Sequence, residues 1–445
     1  MQEELRLNYQ DQFSDCSDED EDVEDCRNYA IGCFHPVFVG EVFHGRYVAI
    51  QKLEFGHLSN IWLAKDFKTN NFVALKFQRS APRFQEAALN EIEILQTIHK
   101  KSKFINIVQL LHVFLHKGPF GQHYVLVFEM LGVNLLRISH STEDRGLNFD
   151  QCKSIIKQIL LALDFLHREC GIIHADLKPE NIRVCLTNEQ VKELVDKGQI
   201  TQRQQFQDNI KHYQKQSSSD KKKEKRKRQK EKKKLQCIKQ KLQWMVGLDK
   251  RIFQVKIVDF SKACWINHHR NEKIQTLQYR APEVIMGQFY TTSADIWSLA
   301  CIAFELITGD SLFEIENDDE LTHLAYIQQV LGSYPIEFTC VGKHCKKYFS
   351  HNGVLRHFKV SEYYTLEQIL VQKYQINKVE ANQFADFLLP MLNVIPYKRA
   401  TASQMLKHPW ISKQQFKFQY FVEQSFVDDE HEIDEEDLFS NHHLQ

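Results

Sequence analysis

Between residues 47 and 77, apolar and polar side chains alternate in three successive stretches: YVAIQKL (47–53), NIWLAKD (60–66) and FVALKF (72–77). A period of two places alternate side chains on opposite faces of an extended chain, so three strands are predicted. The period then changes. In EAALNEIEILQTIH (86–99), Leu89, Ile92, Leu95 and Ile98 recur every third residue, which predicts a helix with one apolar face. Two further strand-like runs follow, IVQLLHVF (107–114) and HYVLVFEML (123–131). Together these form a small lobe over 35–131. Beyond it the helical period prevails. CKSIIKQILLALDFLH (152–167) carries Ile155, Ile156, Ile159, Leu160, Leu163 and Leu166 as a broad apolar stripe. ADIWSLACIAFELITG (294–309) is apolar nearly all round and is expected at the centre of a second, larger lobe, completed by ANQFADFLLPMLNVI (381–395) and TASQMLKHPW (401–410). The expected class is α+β: a small β-rich N-terminal lobe and a larger helical C-terminal lobe.

One segment interrupts the helical lobe. Residues 187–250 are rich in Gln, Lys and Ser, yet strand-like NIRVCL precedes them and QVKIVDF follows. They read as an insert that divides the C-terminal lobe into 132–186 and 251–412. Charge sharpens this picture, because the formal net charge of −1 on 445 residues hides a segregation. Residues 1–26 hold eleven acids and one Arg, 428–437 hold eight acids, and 221–234 (KKKEKRKRQKEKKK) hold eleven Lys or Arg. Like-charged blocks stay solvated, so the acidic tails 1–34 (apart from an apolar patch near Ile31 to Phe34) and 413–445 and the basic insert 187–250 are expected to be disordered. The basic run reads either as a solvated loop or as a nuclear-localisation or anion-binding patch. It is the one segment suited to nucleic acid, and it would equally bind the chain's own acidic tails.

The first ten residues, MQEELRLNYQ, are polar rather than signal-like, and no run approaches the roughly 18 apolar residues that a bilayer requires. Eleven scattered cysteines, an odd number without a CxxC pair, fit reduced thiols. A soluble monomer of cytoplasm and nucleus is expected, with no membrane partner.

Six pieces of the chain fall in the order that phosphoryl transfer demands: phosphates held, charge neutralised by metal and Lys, and an acceptor hydroxyl positioned in line. The loop LEFGHLSNI (53–61) lies where a glycine-rich phosphate cover belongs, with Leu53 and Ile61 at its ends. Only Gly56 remains of three expected glycines; Glu54 and Ser59 occupy the other two places. Lys76 in FVALKF matches the V-A-I-K pattern and is expected to pair with Glu91 and hold the phosphates. HADLKPEN (174–181) is the most specific signal: Asp176 would accept the proton of the substrate hydroxyl or orient it, Lys178 would neutralise the moving phosphate, and Asn181 would ligate magnesium. Asp259 in VKIVDFS stands where D-F-G places a metal-binding carboxylate, and hard oxygens suit Mg²⁺. Ala281-Pro282-Glu283 would close the segment that begins at Asp259, with Glu283 paired to Arg399, and Asp295 would brace the 174–181 loop.

These residues, together with HPVFVGEVFHGRY (35–47), KACWINHHRNEKIQTLQYR (262–280), DFLLPMLNVIP (386–396) and KRATASQMLKHPW (398–410), resemble the SR-protein kinases of the CMGC group. The resemblance covers roughly 35–187 and 251–412. It implies a bilobal kinase that uses ATP and Mg²⁺ to phosphorylate serines in Arg/Ser-rich segments of splicing factors. It also implies a hinge at Glu129–Leu131, Phe128 as gatekeeper beside the adenine, and Ala74 and Leu53 on either side of the base. Arg280 matches the position that shapes the pocket following the acceptor, and Asp310 and Lys373 match the family's docking groove.

The chain departs from that pattern in places. Ala175 replaces the Arg that in many kinases reads a phosphorylated activation loop, and the segment Asp259–Glu283 is only 25 residues long, which suggests activity without loop phosphorylation. Ser261 stands at the Gly of D-F-G. Thr322 and Gln329 sit where docking acids are expected, with Glu316, Asp318, Asp319 and Glu320 near enough to compensate. Glu54, Ala175 and Ser261 would also suit a pseudokinase scaffold. A third reading, the LAMMER or dual-specificity branch, meets HLAYIQQVLG (323–332) where EHLAMMER belongs. Finally, CVGKHCKKYFSHNGVLRH (340–357) has a zinc-finger look, but eleven residues separate Cys345 from His357 and no second His follows at the required spacing. It is expected to be a loop.

Overall fold

A computed structural model of the chain describes residues 29–56, 58–101, 106–140, 146–193, 195–196, 254–315, 319–358 and 362–412. The alternating stretches are strands. β1 (Val42–Phe43), β2 (Tyr47–Phe55), β3 (Ser59–Asp66), β4 (Phe72–Gln78), β5 (Leu110–Gly118) and β6 (Gly121–Glu129) form one antiparallel sheet in the order β1-β2-β3-β4-β6-β5. β5 begins later than expected because Ile107 bridges Ile257 and the Val108 N–H donates to the Ile257 carbonyl at 3.0 Å, tying the lobes together. The run expected over 123–131 likewise divides: β7 (Leu131–Asn134) leaves the sheet to join β9 (Ile182–Cys185) and β10 (Val255–Ile257).

Helix α1 (Pro82–Lys101) starts four residues before the expected stretch, with proline, which lacks the N–H that a first turn cannot use, at its first position. Its buried face holds Ala88, Glu91, Ile92, Ile94, Leu95 and Ile98, whereas Leu89 is only half-buried. The face is thus turned from the one that apolar spacing alone indicates, bringing Glu91 round toward β4.

In the larger lobe a short α2 (Leu135–Ser139) precedes α3 (Phe149–Asp164), which is capped by the Asn148 side chain accepting from the Gln151 N–H at 2.9 Å. It continues as a π-helical turn, Phe165–Cys170, that ends at Gly171 with φ 67°. Next comes β8 (Ile172–Ile173), paired with β11 (Cys264–Trp265). After the single turn α4 (Pro282–Ile285), α5 (Ser293–Thr308) is buried from Ala294 to Thr308, as its all-round apolar sequence requires. Helices α6 (Glu320–Leu331), α7 (Leu366–Gln372), α8 (Lys378–Leu388) and α9 (Ala402–Leu406) complete the lobe, with α8 packed on α5, α7 on α8 and α9 on α3. No helix of the described residues is long and apolar enough to cross a membrane.

Two expected boundaries shift. In the tail assigned to 1–34, Phe34 is 1 % exposed beneath the Arg79 guanidinium, and the Ser80 N–H donates to the Cys33 carbonyl at 3.1 Å. In the insert assigned to 187–250, residues 188–193 are helical, and Val191 and Val195 are buried against Leu63 and Met130. The apolar valines win over the polar composition around them. The basic run, residues 1–28 and the tail from 413 lie outside the described residues. Residues 340–357 form a loop that contains one helical turn, Cys345–Tyr348, and is tied down by the His344 N–H donating to the Met286 carbonyl at 3.0 Å.

The core contains a titrating carboxyl. Glu305 on α5 is 4 % exposed and accepts from the Tyr279 hydroxyl at 2.7 Å. Burial pushes its carboxyl up to about 7, despite that hydrogen bond, and Glu180 and Asp310 push in the same direction. An acid that titrates higher folded than unfolded makes the native state bind more protons. Its contribution is therefore complete below the unfolded value of 4.5 and is lost as pH rises toward about 7. A shift of that size corresponds to about 3 kcal/mol. In urea unfolding, Glu305→Gln should remove this part of the slope, so that the wild type's advantage over the variant shrinks from about pH 5 to about pH 7.5.

Candidate active site

The cleft between the lobes is built from β2–β4, α1 and the loops that follow β8 and β10. Lys76 lies on β4 opposite Ile61 on β3, and α1 carries Glu91 to it: the Lys76 ammonium stands 2.8 Å from both Glu91 carboxylate oxygens. It also donates to Asp259 Oδ1 at 3.0 Å, and Gln78 adds a 3.3 Å bond to Glu91. Burial works against the charge on Lys76, but Asp259 and Glu91 outweigh it and hold the ammonium above its ordinary range. Burial likewise raises Asp259, and the Lys76 charge beside it more than reverses the effect, holding the carboxyl well below the usual range. The aspartate side chain remains 36 % exposed toward the cleft. Its backbone is held at φ 60°, a left-handed conformation that Asp and Asn tolerate better than most residues.

The 174–181 loop is fixed from below by α5. Asp295 accepts the His174 N–H at 2.8 Å and the Ala175 N–H at 3.0 Å, and its Oδ2 lies 2.9 Å from His167 Nε2. This is the bracing expected of it, with His167 as an additional partner. Asp176 faces the cleft. Its Oδ1 accepts from the Thr276 hydroxyl at 3.0 Å, its Oδ2 from Lys262 at 3.0 Å, and Lys178 stands 3.8 Å from Oδ2. Asn181 Nδ2 donates to the Asp176 carbonyl at 2.9 Å, so its amide oxygen is the atom that could ligate an ion. That oxygen and the Asp259 carboxylate form a hard-donor pair of the kind Mg²⁺ prefers, so the residues present fit the ion.

The nucleotide-side residues are similarly placed. Phe128 pairs with Ala74 across β6 and β4, and Leu53 and Ala74 pack against Met130 and Leu63 at the cleft wall. Gly56 and Ser59 close the cover hairpin, the Gly56 N–H donating to the Ser59 carbonyl at 2.9 Å. A Cβ at Gly56 would meet only that carbonyl, at 3.9 Å, so the chain itself leaves room there. The Glu129 side chain is held by Lys256, whose ammonium donates to its two oxygens at 2.6 and 2.8 Å, and by the Gln109 N–H at 2.8 Å.

Sequence reasoning missed several partners. Thr276 and Lys262 on Asp176, Lys256 on Glu129, and Arg183, which pairs with Glu54 and donates to the Gly132 carbonyl at 3.1 Å, had no motif to reveal them. The Glu54–Arg183 pair gives the unexpected acid in the cover loop a role: it ties that loop to the strand after Asn181. The docking residues come together only in part. Lys373 is 3.4 Å from Asp310, which also accepts from the Tyr374 hydroxyl at 3.0 Å. Of the four acids expected to compensate for Thr322 and Gln329, Asp319 and Glu320 are engaged within the chain. Asp319 caps α6, while Glu320 accepts from Arg280 at 2.9 Å, Lys273 at 2.7 Å and the Tyr348 hydroxyl at 2.7 Å. Glu316 and Asp318 lie outside the described residues.

Glu283 and Arg399 meet as expected, fully buried, at 2.7 and 2.8 Å. The segment between Asp259 and Glu283 is held by Gln275, whose N–H donates to the Ala175 carbonyl at 2.8 Å and whose side chain bonds the Ala281 N–H, the Ala294 carbonyl and the Ser298 hydroxyl. An uncharged amide and its backbone thus hold the segment against the loop in which Ala175 stands.

Comparison with known proteins agrees with this geometry. The protein kinase domain family matches residues 47–220 and 245–411. The chain is 40 % identical to a serine/threonine-protein kinase SRPK of Physarum polycephalum, over 88 % of this chain and 92 % of that one. It is 35 % identical to protein kinase dsk1 of Schizosaccharomyces pombe (87 % and 85 %) and 32 % identical to human SRSF protein kinase 3 (88 % and 91 %). With the Lys76–Glu91–Asp259 cluster and the braced Asp176 loop in one cleft, the chain belongs to the SR-protein kinase family of serine/threonine protein kinases.

Proposed function

We propose that this kinase transfers the γ-phosphate of Mg·ATP to serines in Arg/Ser-rich segments such as those of splicing factors. The observation that carries the catalytic part is the paired Lys76, the cleft-facing Asp259 and the braced Asp176 within one site. Asn181 and Asp259 would hold Mg²⁺, and bound Mg·ATP supplies the phosphoryl group and much of the charge neutralisation. Lys76 binds the phosphates without leaving Glu91. Asp176 Oδ2, contacted by Lys262 in this structure, receives and orients the incoming serine hydroxyl, with Lys262 giving way, and takes its proton. Lys178 stands beside it to offset charge on the moving group.

Substrate class is argued from charge. The acidic blocks at 1–26 and 428–437 attract Arg-rich segments, and Asp310 is an accessible docking acid on the larger lobe. The basic run at 221–234 suits an address for nuclear entry, so that the enzyme works in both cytoplasm and nucleus. Loop phosphorylation is not needed. Of the hydroxyl-bearing residues between Asp259 and Glu283, Ser261 and Tyr279 are buried and Thr276 is bonded to Asp176. The test is phosphate transfer by phosphatase-treated enzyme to matched Arg-Ser, Lys-Ser and Ser-Pro repeat peptides over a range of salt. Arg-Ser should rank first, with a rate that falls as salt rises. Indifference to salt, or loss of most activity on phosphatase treatment, would count against this reading.

A further inference from the structure

The strand order places β1 and β5 at opposite edges of the N-terminal sheet. The sheet nevertheless curls until those edges meet, because the ring of Phe43 on β1 lies 5.1 Å from that of His116 on β5. The seam is occupied by His35, from the segment leading into β1, and by Glu41. His35 is 4 % exposed, and neither of its ring nitrogens has a hydrogen-bond partner. Its ring centre is 4.3 Å from that of His116, whose Nε2 is also buried without a partner. Unsatisfied buried polar atoms are costly, and several of them facing one seam call for a missing partner.

We propose that His35, Glu41 and His116 form a zinc site that clasps the two edges of the N-terminal sheet. One ligand atom from each lies within 4.8 Å of the other two. The His35 Nε2 to Glu41 Oε1 separation is 3.5 Å, too long for a good hydrogen bond. Donors held about 2.0–2.1 Å from a tetrahedral zinc stand about 3.3–3.4 Å apart, close to that distance. Two imidazoles and a carboxylate make a borderline donor set suited to zinc, with a fourth position left for water.

The surroundings support the assignment. Glu41 Oε2 accepts the Phe38 N–H at 2.9 Å, which orients the carboxylate and leaves Oε1 toward His35. Phe43 and Phe77 wall the site, their ring centres 5.8 and 5.9 Å from that of His35. Gly118 leaves room for the ring, since a Cβ there would stand 2.4 Å from His35 Nδ1. Glu41 remains 28 % exposed and provides an entry path.

The experiment uses the full chain, stripped with EDTA and titrated with Co²⁺ as a visible stand-in for zinc, then with Zn²⁺ in competition. The expected result is one equivalent giving the intense absorption of four-coordinate Co²⁺, bleached by Zn²⁺, together with a rise in Tm. His116→Gln and the near-isosteric Glu41→Gln should each weaken binding at least ~10-fold, whereas Asp259→Ala, in the catalytic cleft, should leave it unchanged. The Asp259→Ala control separates this site from the Mg·ATP site, so either reading can fail alone. Binding that is equal in wild type, His116→Gln and Glu41→Gln, or no tetrahedral spectrum in wild type, would overturn the proposal.

Discussion

Exchanging Asp259 for Ala is expected to lower phosphate transfer by roughly 10³-fold or more, with the fold retained. The carboxylate is one of the two hard oxygen donors proposed to hold Mg²⁺, and Lys76 keeps it ionised against the pull of burial. Its loss removes the ligand and leaves Lys76 to Glu91 alone, at 2.8 Å. The loss of stability should be modest, because a side chain 36 % exposed keeps part of its contact with water. The backbone is a separate concern: at φ 60° alanine is strained where asparagine is not, so Asp259→Asn is the cleaner variant. It keeps shape and conformation and loses only charge. Both variants should be equally inactive in a radiolabel transfer assay. If the Asp259→Asn enzyme retained a tenth of wild-type kcat, the metal role assigned to this carboxylate would be untenable.

The second large effect concerns stability. Glu283 and Arg399 are both fully buried, and the guanidinium is further satisfied by the Asn393 carbonyl at 2.9 Å and the Ser293 carbonyl at 2.8 Å, with its centre 5.0 Å from the Trp297 ring. Removing either partner leaves a charge in the core without its counterion, which costs about 3–5 kcal/mol, so Arg399→Met or Glu283→Leu should lower Tm by roughly 5–8 °C. The double variant should lose less than the sum, because no lone charge remains. It should not recover fully, since the two carbonyls lose their donor. Thermal unfolding of the four proteins measures the coupling. Strict additivity would mean that the pair contributes nothing as a pair.

The elements were legible where one period governed a whole segment. The all-round apolar run at 294–309 could only be a buried helix, and α5 is one. The face of α1 was less legible, because Glu91 must meet Lys76 and apolar spacing does not register a buried acid. The cleft residues were legible because phosphoryl transfer constrains them as contiguous strings, HADLKPEN above all. Thr276, Lys262, Lys256 and Arg183 were not, since each acts as a single side chain from a distant segment whose position only the packed chain reveals. The docking acids illustrate the same limit. Counting carboxylates near Thr322 suggested compensation, but Asp319 and Glu320 are held by a helix cap and by Arg280 and Lys273.

The account rests on this cleft being a working phosphotransferase and not only a nucleotide-binding shell. Its most direct test is to incubate purified, dephosphorylated enzyme with γ-labelled ATP, Mg²⁺ and an Arg-Ser repeat peptide, and to identify the labelled amino acid. Phosphoserine at a rate far above that of the Asp259→Asn enzyme is the expected outcome. Tight Mg·ATP binding with no transfer above that variant's level would contradict it.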